Sequence, residues 1–163
     1  MCKMLNVKLI CVGKMKEKFF IDAFNEYQKR LSAYCRFELV ELNEQRLPEN
    51  PSDKEISSAL ERECADILKA IPSDAYVTAM CVEGRQMPSE GMGRLIAERE
   101  NSGKPKLCFI IGGSFGLSPT VKARADKKLS MSEMTFPHHL ARVMLAEQIY
   151  RGFKINEGSR YHK

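Results

Sequence analysis

The sequence has no apolar run approaching the roughly twenty residues needed to cross a bilayer, which excludes a helical membrane span. Its six cysteines include no Cys-x-x-Cys pair, so neither a zinc site nor a dithiol redox motif is supported, and no metal is expected. The dinucleotide fingerprint Gly-x-Gly-x-x-Gly is missing. So is the Lys-Ser/Thr that follows the glycines of a phosphate-binding P-loop. Met1 to Lys14 is too short, and too interrupted by Lys3 and Lys8, to read as a secretory signal. Together these absences predict a cytoplasmic protein with reduced thiols. Cys11, Cys81 and Cys108 lie in apolar strand-like runs and Cys64 on a helical stripe, where cysteine acts as a small hydrophobe.

What is present fits one domain over residues 1–163, 44% hydrophobic and 29% charged, long enough to bury a core without staples. A net charge of +5 permits a polyanionic partner without demanding one. Strand-like and helix-like patterns alternate along the chain. Asn6 to Gly13, Arg36 to Leu42, Ala75 to Val82 and Leu107 to Ile111 read as strands, and Leu129 to Met131 as a weak fifth. Phe20, Phe24, Tyr27, Leu31 and Tyr34 recur at helical spacing, as do Ile56, Leu60, Cys64 and Ile67 behind a Ser52/Glu55 capping box. Ser89 is placed to cap a third helix, and Ser118-Pro119 opens a short fourth. Such alternation predicts a three-layer α/β sheet with mostly parallel strands. The last helix, Pro137 to about Phe153, is apolar on two sides and calls for two partners; a second subunit is a natural one, so a homodimer is expected.

Two stretches attract chemistry. In Leu107 to Leu117, LCFIIGGSFGL, a strand buried on both faces breaks into Gly112, Gly113 and Gly116. The glycines alone fit either a ligand crevice at a strand end or a plain tight turn. The polar loop from Asn43 to Asp53, with Pro48 and Pro51, is long for a compact domain, and Lys14, Lys16 and Lys18 decorate the loop after the first strand.

The order of signals is more specific than any one of them. VGK at Val12–Lys14, EYQKRL at Glu26–Leu31, IIGGSFGLS at Ile110–Ser118, the SxSxMTFPH pattern at Ser130–His138, RVMLAEQIYR at Arg142–Arg151 and the closing Tyr161-His162-Lys163 follow one another over essentially the whole chain. In this the chain resembles the RlmH (YbeA-like) family of the SPOUT superfamily, methyltransferases acting on N3 of a pseudouridine in 23S ribosomal RNA.

The resemblance implies an α/β fold whose C-terminal part forms a trefoil knot, S-adenosyl-L-methionine as cofactor, a homodimer, and a 23S rRNA substrate met within the ribosome. It puts the cofactor against Met80, Gly112 and the segment Met131, Ser132, Glu133, Met134, Thr135 and Phe136, with methionine replacing the usual leucine at position 80. His138 is then the candidate to accept the imide proton, the alternative being a helix-opening residue satisfied by backbone. Arg142, one turn on, is a candidate to steady the developing anion or a phosphate. Arg160, Tyr161 and His162 are expected to bind substrate, since basic and aromatic side chains together hold unpaired RNA bases. Glu147 is expected to pair with Arg151 at four residues' spacing. Two other readings are a ribosome-associated protein that kept the fold without catalysis, and a Rossmann-like nucleotide enzyme, which the missing fingerprint disfavours.

Overall fold

The computed structural model describes residues 4–163. Its sheet has five strands, β1 (Asn6–Val12), β2 (Arg36–Leu42), β3 (Tyr76–Arg85), β4 (Lys106–Ile111) and β5 (Lys127–Leu129), in the order β2-β1-β4-β3-β5. Every neighbouring pair of strands is parallel. Parallel pairing requires a crossover between consecutive strands. The crossovers are α1 (Lys18–Leu31), α2 (Asp53–Ala70), α3 (Ser89–Glu100) and α4 (Pro119–Arg124); α5 (His138–Asn156) follows β5, and a 3-10 turn, Arg160–His162, lies near the chain's end.

Alternate residues of the central strands feed two cores, and that divides the molecule into three layers. On one face Leu9 and Phe109 meet Phe24 and Leu31 of α1, Met92 and Ile96 of α3, and Leu145 and Ile149 of α5. On the other, Ile10, Val77 and Ile110 meet Cys64 and Ile67 of α2 and Val121 of α4. Burying a leucine- or isoleucine-sized side chain contributes about 2 kcal/mol, so these runs dictate where the strands lie. Local signals fix the helix starts. Ser52 Oγ accepts from Glu55 N at 3.2 Å while the Glu55 carboxylate accepts from Ser52 N at 2.7 Å, and Ser118 Oγ accepts from Val121 N at 3.2 Å.

Two expectations need correction. Ser89 does not cap α3: Pro88 holds the cap position, and the Ser89 hydroxyl donates instead to Gln148 of α5 at 2.7 Å. The fifth strand lies earlier than Leu129–Met131, because β3 runs past Val82 to Arg85 and an irregularity between Met80 and Arg85 brings both opposite Leu129. The two-sided apolarity of α5 has partners within the chain, since α5 lies between α1 and α3 in their layer and packs against both.

Among the described residues no helix is long and apolar enough to cross a membrane, and no cluster of three metal-ligating side chains forms. Cys11, Cys35, Cys64, Cys81 and Cys108 are free thiols; burial pushes Cys11, Cys35 and Cys108 up to about 12 and leaves them inert.

Candidate functional site

The chain leaves β3 toward the layer of α3 and leaves β4 toward the layer of α4, so a crevice opens at the carboxyl ends of these neighbouring strands. It is a cleft of about 710 Å³, floored by Met80 and Ile111, walled by the glycine turn after β4 and closed by the segment from Leu129 to His138. That size suits a nucleoside-sized ligand.

Gly112 lines this cleft, but a second constraint makes it glycine. A Cβ there would sit 2.3 Å from the carbonyl oxygen of Gly116, within the turn itself. Gly113 and Gly116 pair across that turn, and Gly116 adopts φ +77°. Both readings of the glycines are therefore satisfied: the turn is tight, and it faces a crevice. From outside the turn, Glu44 of the long loop accepts from both the amide and the hydroxyl of Ser114 at 3.2 Å.

The closing segment is held by its own serines. Ser130 is buried and donates to the carbonyl of Ser132 at 2.8 Å, and the Ser132 hydroxyl accepts from Met134 N at 3.1 Å. Met80, Gly112, Met131, Ser132, Met134, Thr135 and Phe136 all line the cleft. Glu133 does not; it is exposed and lies outside the lining. Met134 is 73% exposed, so it forms part of the cleft's mouth and not a core contact.

His138, the first residue of α5, lines the cleft, its ring edge-on to His139 at 4.3 Å between centroids. Burial, followed by the positive charges of His139 and Arg142, holds its pKa below the ordinary imidazole value, with Glu44 and Glu17 opposing. Neutral imidazole is thereby favoured.

Arg142 does not line the cleft, which corrects its expected role. Its side chain is fully buried, donating to Glu41 Oε2 at 2.9 Å, to Val12 O at 2.9 Å and to Gly13 O at 2.8 Å. A guanidinium so engaged ties α5 to the ends of β1 and β2 and has no free fork for an anion.

Arg160, Tyr161 and His162 also lie outside the cleft of their own chain. Tyr161 packs under the Arg151 guanidinium at 4.7 Å and donates to Glu147 at 3.2 Å, while His162 meets Glu90 at 3.0 Å. Arg151 donates to Glu147 at 2.9 Å, the pairing expected from spacing. The tail thus borders a second groove of about 610 Å³, whose apolar wall includes Tyr27, Met87, Met92, Val143 and Met144, whose polar side has Ser89, Glu147 and Gln148, and which shares Met80, Leu129, Ser130 and Met131 with the cleft.

Several lining residues carried no sequence signal. Cys81, Phe115 and Leu117 resemble ordinary strand and turn residues. Glu83 and Lys122, which pair at the mouth, become neighbours only when β5 sets α4 beside β3.

The fold is shared with solved structures at low sequence identity. A Bordetella pertussis Tohama I chain described as a probable methyltransferase superposes with a TM-score of 0.58 at 14% identity, over 91% of this chain and 94% of that one. A Haemophilus influenzae Rd KW20 chain described as a probable methylase family protein gives 0.55 at 13%, over 98% and 71%. These place the chain among α/β domains of that shape. The family model described as "Predicted SPOUT methyltransferase" matches residues 5–162, and proteins named ribosomal RNA large subunit methyltransferase H align over 98% of this chain and all of their own length, at 48% identity in Clostridium beijerinckii and 44% in Clostridioides difficile. The chain belongs to the SPOUT methyltransferase family and, within it, to the ribosomal RNA large subunit methyltransferase H group.

Proposed function

We propose that the protein transfers a methyl group from S-adenosyl-L-methionine to N3 of a pseudouridine in 23S rRNA, acting in the cytoplasm on assembled ribosomes as a homodimer. The observation that carries the reading is the cleft at the β3 and β4 ends, where the glycine turn faces the segment from Met131 to Phe136. The residues fit the cofactor. Met80, Leu117, Met131 and Phe136 offer apolar wall for an adenine, and the backbone at Gly112 and along the closing segment offers hydrogen-bonding edges. When bound, S-adenosyl-L-methionine supplies an electrophilic methyl carbon on a sulfonium. We read the closing segment and the glycine turn it faces as parts of the family's knot.

The protein's part is to hold the nucleophile in line and to receive a proton. His138, neutral and at the rim of the cleft, is the group placed to take the imide proton from N3. Arg142 acts through position, keeping the first turn of α5 fixed beside β1. Arg160, Tyr161 and His162 lie outside the lining of their own chain's cleft, which favours a role across a dimer, reaching substrate at the partner's site. The apolar groove beside them supports such an interface.

The test is methyl mapping. Ribosomes from a strain lacking the modification, incubated with the protein and S-adenosyl-L-methionine, are expected to gain one methyl at a pseudouridine of 23S rRNA, located by mass spectrometry. Unmodified rRNA after complete exposure would reject the assignment. Cofactor binding without transfer would instead favour a fold kept for binding alone.

A further inference from the structure

The lysine-rich loop after β1 has no part in the cleft, yet it is fastened to the helix that carries His138. Its start is fixed by Arg142, which binds the carbonyls of Val12 and Gly13 at 2.9 and 2.8 Å. Its middle is fixed by Glu41, whose Oε2 accepts from Met15 N at 3.0 Å and from Arg142 at 2.9 Å. Its end is fixed by Glu17, whose carboxylate meets His139 Nδ1 at 3.0 Å. The one acid in the loop is thereby turned toward α5. Lys14 and Lys16 are exposed and, among the described residues, make no ion pair, whereas Lys18 pairs with Asp22. Beside them Phe19 is 66% exposed, propped on Phe20 with ring centroids 4.4 Å apart. A supported, exposed ring next to unpaired cations matches the requirements of an RNA segment with an unstacked base.

We propose that Lys14, Lys16 and Phe19 form a docking edge for single-stranded or looped RNA, the lysines contacting phosphates and the ring stacking on a base next to the nucleotide held at the cleft. This rests on the rRNA reading above and extends it: the loop, clamped to the first turn of α5, sets substrate at a fixed distance from His138. Binding of phosphates releases counterions, so each contact adds to the salt dependence.

The experiment measures ribosomal-subunit binding by filter retention across a salt series, beside methyl-transfer kinetics and calorimetry with S-adenosyl-L-methionine. Lys14→Ala/Lys16→Ala is expected to lower the slope of log affinity against log salt by about 1.4 and to raise KM, leaving the cofactor Kd unchanged. Phe19→Ala is expected to weaken subunit binding by about tenfold at any salt, with Phe19→Trp restoring it. Lys54→Ala/Lys69→Ala, the same charge removed from α2, should match the parent. A Lys14/Lys16 double variant with parental slope and KM would overturn the proposal, as would Phe19→Ala that alters the sedimentation of the protein but not subunit binding. Because retention is read without catalysis, a parent that binds with the lysine-dependent slope but transfers no methyl would reject the proposed reaction and leave the docking edge standing.

Discussion

Gly112 and His138 show how one residue can answer to two demands. Gly112 must be bare because Gly116 O would lie 2.3 Å from its Cβ, and the same bareness opens the backbone to the cleft. Substitution there therefore damages the turn before it reaches any ligand. His138 sits where burial and two neighbouring cations disfavour imidazolium, against the weaker pull of Glu44 and Glu17. A group with a lowered pKa stays neutral further into acid, so the base role proposed for it is lost only as pH falls below its ordinary titration range. The acid limb of kcat/KM for methyl transfer is accordingly expected to have its midpoint below about 6.5, measured between pH 5 and 8. His138→Ala is expected to lose about a hundredfold in kcat along with that limb. A variant retaining parental kcat would remove His138 from the chemistry.

Elements are joined by a few buried polar contacts as well as by the cores, among them the Arg142 joint, in which both terminal guanidinium nitrogens are engaged while Nε is buried without a partner. It links α5 to the ends of β1 and β2 through two backbone carbonyls and Glu41. Arg142→Met fills similar volume but strands those acceptors, which is expected to cost about 3 kcal/mol in urea unfolding. An unchanged midpoint would show that water replaces the guanidinium without penalty. The sequence made most elements legible because their signals are local: β1 and β4 are mostly apolar runs, β2 intersperses apolar with charged residues, and Ser52 with Glu55 marks the start of α2 by the chemistry of its own first turn. It set the fifth strand two residues late, at Leu129 to Met131, because Lys127 and Lys128 look like loop residues and the place of β5 depends on the register of β3. It also misassigned Ser89, since a serine at a helix start signals a cap whether its hydroxyl bonds its own backbone or, as here, a distant glutamine. The lining of the cleft was legible at Met80, Gly112, Met131, Ser132, Met134, Thr135 and Phe136 through family resemblance, whereas Glu133 lies outside it. Arg142 was not, because one turn's spacing from His138 says nothing of which face of α5 is buried.

At the scale of the whole molecule, α5 lies between α1 and α3 and still presents Val143 and Met144 to an open apolar groove. That groove and the tail beside it are the surfaces we assign to a second copy. Sedimentation at micromolar concentration is expected to show a dimer, and Met144→Glu, which sets a charge in the groove, to shift it to monomer. A parent that sediments only as monomer would remove the interface and, with it, the tail's route to a neighbouring cleft.

The shortest strand has a consequence for how the protein comes into being. β5 spans only Lys127–Leu129, lies at the sheet's margin and is synthesised after the other four strands, yet the segment that follows it closes the cleft. A nascent chain can thus complete most of its sheet while having nowhere to seat a methyl donor. Binding of the donor at the proposed site is accordingly expected to stabilise the seated form of the segment from Leu129 to His138 that closes the cleft.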